Sequence, residues 1–122
     1  MTWFPAHRAE TGTVIGAVAA RRDVVAEYEA VATMAGVHAG LVDLAGLNVM
    51  NAVVGANAST PADWLLIAMS PEATALAIGR GADLMFYRHR PVLEGEPLSA
   101  LVHQTAMYHE DRLGGTRFSR VW

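Results

Sequence analysis

Three short apolar runs joined by turn residues limit the fold of this chain more than any other feature. Trp64 to Met69 is apolar on both faces, as a central strand is. Ser70-Pro71-Glu72 is turn chemistry, Ala73 to Ile78 reads as a second strand, and Gly79-Arg80-Gly81-Ala82-Asp83 as a second, hairpin turn. Leu84 to Arg90 is a third strand, with Leu84, Phe86, Arg88 and Arg90 on one face and Met85, Tyr87 and His89 on the other. Leu98, Leu101, Val102, Thr105 and Tyr108 then form a helical stripe that Gly114-Gly115 ends, and Arg117 to Trp122 reads as a last strand.

The first half has a different rhythm. Thr13 to Ala20 is short, apolar and β-branched near its start, which predicts a buried strand preceded by Trp3 and Phe4. Asp23 is placed to cap a helix in which Val24, Val25, Tyr28, Val31, Ala32 and Ala35 recur at helical spacing, and Gly36 suits its end. Val37 to Leu44 predicts the next strand, giving a parallel βαβ unit, and Leu47 to Val54 a short helix. The run from Gly55 to Pro61 is the strongest loop signal and separates a segment 1–56 from a segment 62–122, the two also being compatible with one compact domain. The expected fold is therefore α/β (α+β) in the order βαβα-βββαβ. Three hairpin-linked strands, a helix and a returning strand describe a ribonuclease-H-like core, with a ferredoxin-like sandwich as the alternative.

Composition excludes several kinds of chemistry. Among 122 residues there is no cysteine, which removes disulfides, thiolate metal sites and cysteine nucleophiles. There is no lysine either, which removes Schiff-base chemistry and a phosphate-loop lysine. A net charge of −3 is not that of a nucleic-acid module. No apolar run approaches the roughly 20 residues of a membrane span, so a cytoplasmic location is expected.

Motifs for phosphate, serine-hydrolase and zinc chemistry are absent, and Gly79-Arg80-Gly81 lies between two strands rather than before a helix. His7, His38, His89, His103 and His109 form no pair at metal-ligand spacing, so no metal is expected. Glu94 and Glu96 fall in a Gly- and Pro-containing loop, and Glu110-Asp111-Arg112 near a helix end reads as a solvated face. Asp43, closing an apolar run, reads as a cap of the following helix or as a site residue. Arg88 and Arg90 on one strand face suit bidentate recognition of a carboxylate or phosphate, and equally the protection of a sheet edge.

The run Gly16 to Val25, then Ala35-Gly36-Val37, then Leu41-Val42-Asp43-Leu44-Ala45-Gly46-Leu47 resembles the PilM family of type IV pilus assembly proteins, members of the actin-like ATPase superfamily. The GspL class of type II secretion proteins is similar in this region. Ala73 to Ile78, Leu84 to Arg88 and Met107 to Leu113 are similar to the hairpin, arginine-bearing strand and tyrosine-containing helix of that family. The likeness extends from about Gly12 onward and rests on the order and spacing of loose motifs. It implies an actin-like fold, a cytoplasmic place beside the inner membrane, and docking on a short segment of a membrane-spanning partner. Where nucleotide-binding members carry Asp-x-Gly in the first hairpin, this chain has Ala68, Met69 and Ser70, so the carboxylate is absent and serine replaces the glycine that admits phosphate. The resemblance also implies a chain that begins after the family's first phosphate loop and stops before its adenosine turn. The expectation is thus a non-catalytic binding module without cofactor, a fragment or reduced relative that binds a protein partner or dimerises. Arg88, Arg90 and Asp43 are its candidate binding residues. The alternatives are an ATPase completed by missing segments, and an unrelated small α+β enzyme using Asp43 and a histidine.

Overall fold

A computed structural model describes all residues except 58, 60 and 93–96, so Glu94 and Glu96 lie outside the described residues. The chain is α+β, with three helices and two sheets among the described residues. It divides into two compact units, Met1–Ala45 and Gly46–Trp122.

The first unit begins with a hairpin. Strand β1 (Thr2–Ala9) pairs antiparallel with β2 (Gly12–Val18) across a tight turn at Glu10-Thr11. The expected strand at Thr13 is therefore present, but it is the second of the chain rather than the first. Helix α1 (Arg22–Met34) follows, one residue before the expected cap: Arg21 is the N-cap and makes no side-chain capping bond, and the Asp23 carboxylate pairs chiefly with the Arg21 guanidinium. At the other end Gly36 takes a φ of 76°, and the Val37 N–H reaches back to the Ala32 carbonyl at 3.0 Å. That is the left-handed closure expected of glycine. Residues 37–44 form no strand, which corrects the expected βαβ unit. They are apolar, but Gly40 interrupts them, and the described residues hold no strand to pair with them. The first-half order is ββαα, not βαβα.

The second unit opens with α2 (Ala45–Asn57), which runs through Gly55 into the segment expected to be a loop. The three runs become β3 (Asp63–Met69), β4 (Ala73–Arg80) and β5 (Asp83–Pro91), followed by α3 (Leu98–Leu113) and β6 (Arg120–Val121). The last strand is two residues long rather than six. The sheet order is β5-β4-β3-β6, antiparallel except that β6 lies parallel to β3. This is the expected βββαβ order.

Cross-strand register sorts the side chains by face. Leu65, Ile78 and Phe86 line up on one face with Ile67, Leu76 and Arg88. This face meets α3, where Phe86 packs on Tyr108 at 4.6 Å between ring centres. The opposite face carries Ala75, Ala77 and Tyr87 and meets α2, whose Gly46 leaves room for the Tyr87 hydroxyl. Small residues under α2 let that helix approach closely, while branched aliphatics fill the gap under α3. Leu76, Ala77 and Ile78 are fully enclosed. Leu76 and Ile78 each contribute roughly 1.5–3 kcal/mol by leaving water. Trp64 is equally buried; its indole lies over Gly79, and its Nε1–H donates to the Gly81 carbonyl at 2.9 Å.

Candidate functional site

The turn between β3 and β4 is closed on itself. The Ser70 hydroxyl accepts from the Ala73 N–H at 3.0 Å and the Glu72 N–H at 3.3 Å, and the Ser70 N–H donates to the Ala73 carbonyl at 2.8 Å. These groups stabilise the turn, so this serine has a structural reason to stand there. Ala68 is half-buried at the end of β3.

Arg88 is half-buried on the α3 side of the sheet, where its guanidinium donates to Gln104 Oε1 at 3.2 Å and lies over the Phe86 ring. Arg90 stands two residues further along the same strand face, opposite Thr74. Asp43 belongs to the first unit, before α2, where its carboxylate accepts the Leu44 N–H at 2.8 Å. The structure therefore brings Arg88 and Arg90 onto one strand face and leaves Asp43 in the other unit.

A polar cluster that sequence reading missed lies at the start of β3. Asp63 receives both Arg80 Nε at 2.6 Å and Arg80 Nη2 at 2.9 Å, in the bidentate geometry that carboxylate and guanidinium favour. Its Oδ2 is also 2.7 Å from Nε2 of His109, which is buried in α3 and stacked on Phe118 at 4.2 Å. The Ser119 N–H and hydroxyl both donate to the Asp63 carbonyl at 2.8 Å. The Arg80 hydrogen bonds hold the Asp63 carboxyl below its ordinary pKa; partial burial opposes the shift and the His109 contact assists it. A cavity of about 630 Å³ adjoins the cluster, lined by Asp63 and the loop from Gly114 to Ser119. Each oxygen of the carboxylate has a partner and the imidazole is enclosed, so the cluster clamps the loop before β6 onto β3 and α3. The hairpin register could have revealed half of it, because a turn centred on Pro71 and Glu72 sets Asp63 opposite Arg80.

The first unit is built differently. None of its residues is buried, although every one is described. On its hairpin, register places Trp3 opposite Ala17 and Pro5 opposite Ile15 on one face, and all four are exposed. The other face carries Phe4, whose ring covers Gly16, together with Thr2 and Val18. Between that face, α1 and residues 42–45 lies an open cavity of about 830 Å³, lined chiefly by Val18, Val24, Val25, Tyr28, Val42 and Leu44, with Asp43 among them. An isolated two-stranded hairpin is marginal in water. One with apolar side chains on both faces calls for cover.

Comparison with protein-family models, with curated proteins and with solved structures finds no match to this chain. Among the described residues no cluster of histidine and carboxylate side chains could hold a metal ion, and no helix is long and apolar enough to cross a membrane.

Proposed function

We propose that this chain is a non-catalytic protein-binding module, and that its hairpin receives an extended segment of a partner. One observation carries the reading: the first unit has no buried residue, yet presents Trp3, Pro5, Ile15 and Ala17 together on one exposed face. The outer edges of β1 and β2 have no strand partner among the described residues, so an added strand gains main-chain hydrogen bonds while its apolar side chains cover Trp3 and Ile15. The βββαβ order with β6 parallel to β3 supports a ribonuclease-H-like, actin-like second unit. The closed Ser70 turn supports a module that holds no nucleotide. With the resemblance to PilM and GspL, the partner is the cytoplasmic segment of an inner-membrane protein in a pilus or secretion platform.

Isothermal titration calorimetry tests this with two ligands, Mg-ATP and a synthetic peptide from the cytoplasmic end of such a partner. The expected result is no heat from millimolar nucleotide and saturable peptide binding that Trp3→Ser weakens at least tenfold. Saturable nucleotide binding, or peptide binding indifferent to Trp3, overturns the proposal.

A further inference from the structure

The two edges of the hairpin differ in what their backbones offer. The turn at Glu10-Thr11 makes Ala9 and Gly12 the first hydrogen-bonded pair, and alternation then leaves Thr13 with its N–H and carbonyl pointing outward. Pro5 fixes the same phase beyond the bulge. It has no N–H to give, so Pro5 and Ile15 form a non-bonded pair, and by alternation so do Trp3 and Ala17. The outward residues of β2 are therefore Thr13, Ile15 and Ala17, each with a donor and an acceptor. No strand takes these groups among the described residues, and all three residues are exposed, Ile15 by 59%. Strand β2 has no charge, no proline and no bulge, the devices that keep an edge from pairing. Strand β1 has all of them, in Arg8, Pro5 and the irregularity between Pro5 and His7.

We infer that β2 is a self-association edge: two copies of this chain join their β2 strands antiparallel about a two-fold axis at Ile15. The outward set is symmetric about that residue. Ile15 meets Ile15 of the other copy, Thr13 meets its Ala17, and Ala17 meets its Thr13. Each pair exchanges two main-chain hydrogen bonds, and no outward donor of the set is left over. Sliding the strands by two residues in either direction gives up one of these pairs. The side chains agree with the backbone. Thr13, Ile15 and Ala17 share the face of Trp3 and Pro5, so the two Ile15 side chains lie together, flanked by the two Pro5 rings. On the other face Val14 of one copy comes opposite Gly16 of the other, within reach of the Phe4 ring that covers that glycine. A hairpin that is marginal alone becomes half of a four-stranded sheet with an isologous interface. The symmetry of the outward set and its lack of charge are what single out a second copy as the occupant. The inference does not rest on the peptide reading, which is carried by the Trp3 side chain on β1.

Analytical ultracentrifugation of the full chain, from about 1 to 200 µM, tests it. The expected species at high concentration has twice the 13.0 kDa chain mass. The deciding variants are Ile15→Lys and Ile15→Glu, at a position exposed enough to accept either. Each alone sets like charges against each other on the axis and should raise the dimer dissociation constant about tenfold. An equimolar mixture of the two sets opposite charges together and should restore association to within about threefold of the parent. Ala17→Pro removes an outward N–H and none within the hairpin, and should also weaken pairing about tenfold. A chain that is monomeric throughout, a dimer indifferent to Ile15, or a mixture that associates no better than its components overturns the inference. Peptide binding that depends on Trp3 would survive a monomeric result, and pairing through Ile15 would survive the absence of peptide binding, so the two failures are distinguishable.

Discussion

Gly115→Ala is a sharp test of the clamp at the end of α3. A Cβ at this position would fall inside the His109 ring, closer than any real side-chain contact. The backbone itself accepts alanine, because Gly114 and not Gly115 holds the positive φ that ends the helix. The cost therefore comes from the ring, which has little room to yield. It is stacked on Phe118 at 4.2 Å and lies 2.7 Å from the Asp63 carboxylate. If the ring holds, the loop lifts and Ser119 loses its two bonds to the Asp63 carbonyl. If the ring moves, the bond to Asp63 goes. Overpacking costs about 1–3 kcal/mol, and a lost hydrogen bond to a charged group about 1.5–3 kcal/mol. The two overlap, so the expected loss is about 3 kcal/mol. For a unit of this size each kcal/mol moves Tm by about 4–8 °C, giving a fall of roughly 12–24 °C. Thermal unfolding followed by circular dichroism reads this directly. Gly55→Ala is the control: its site is open and helical, and the change should gain about 0.5–1 kcal/mol. In a His109→Ala background the Gly115→Ala penalty should nearly vanish. A penalty of equal size in both backgrounds would refute the reasoning.

Gly79→Ala drives a Cβ into the buried Trp64 indole and should cost about 2–4 kcal/mol, with a change in tryptophan fluorescence as the ring shifts off the Gly81 carbonyl. The lowered Asp63 pKa sets the sign of an acid effect, since a carboxylate depressed in the folded state stabilises it above the unfolded pKa of about 3.9. That stability should be lost as pH falls from about 5 through the lowered folded value, whereas Asp63→Asn should be less stable at neutral pH and should flatten the acid limb in urea titrations at stepped pH.

The elements that the sequence exposes are those whose partners are close by. Strands β3 to β5 follow from apolar runs separated by Ser70-Pro71-Glu72 and Gly81-Ala82, and α3 from its stripe and from Gly114 at 64°. Strand β1 was hidden because Pro5, His7 and Arg8 break its apolar alternation, and because a bulge between Pro5 and His7 shifts its register. The run 37–44 misled in the opposite way: its composition suits a strand, but strand formation needs a neighbour. Gly55 looked like a loop residue and is a solvent-facing helical position. Of the candidate residues, Arg88 and Arg90 do share a strand face, as alternation requires. The Asp63 cluster was harder to see because Arg80 arrives by hairpin register, whereas His109 arrives only when α3 crosses the sheet.

The shortness of β6 also orders the assembly of the second unit. Strands β3, β4 and β5 meet through tight hairpins, so their pairing closes small loops. Strand β6 pairs with residues more than fifty positions earlier, through Trp64 and Arg120 and through Leu65 and Val121, and only after α3 has carried the chain back. Its nearby anchors are the Ser119 bonds to Asp63 and the main-chain bonds of Trp122 to Leu65 and Ile67. A strand held so briefly and closed so late is the first to open in the folded protein. Amide exchange should therefore release Trp122 well before the amides of Leu76 to Ile78, and each such opening uncovers the outer side of β3 as a fresh strand edge.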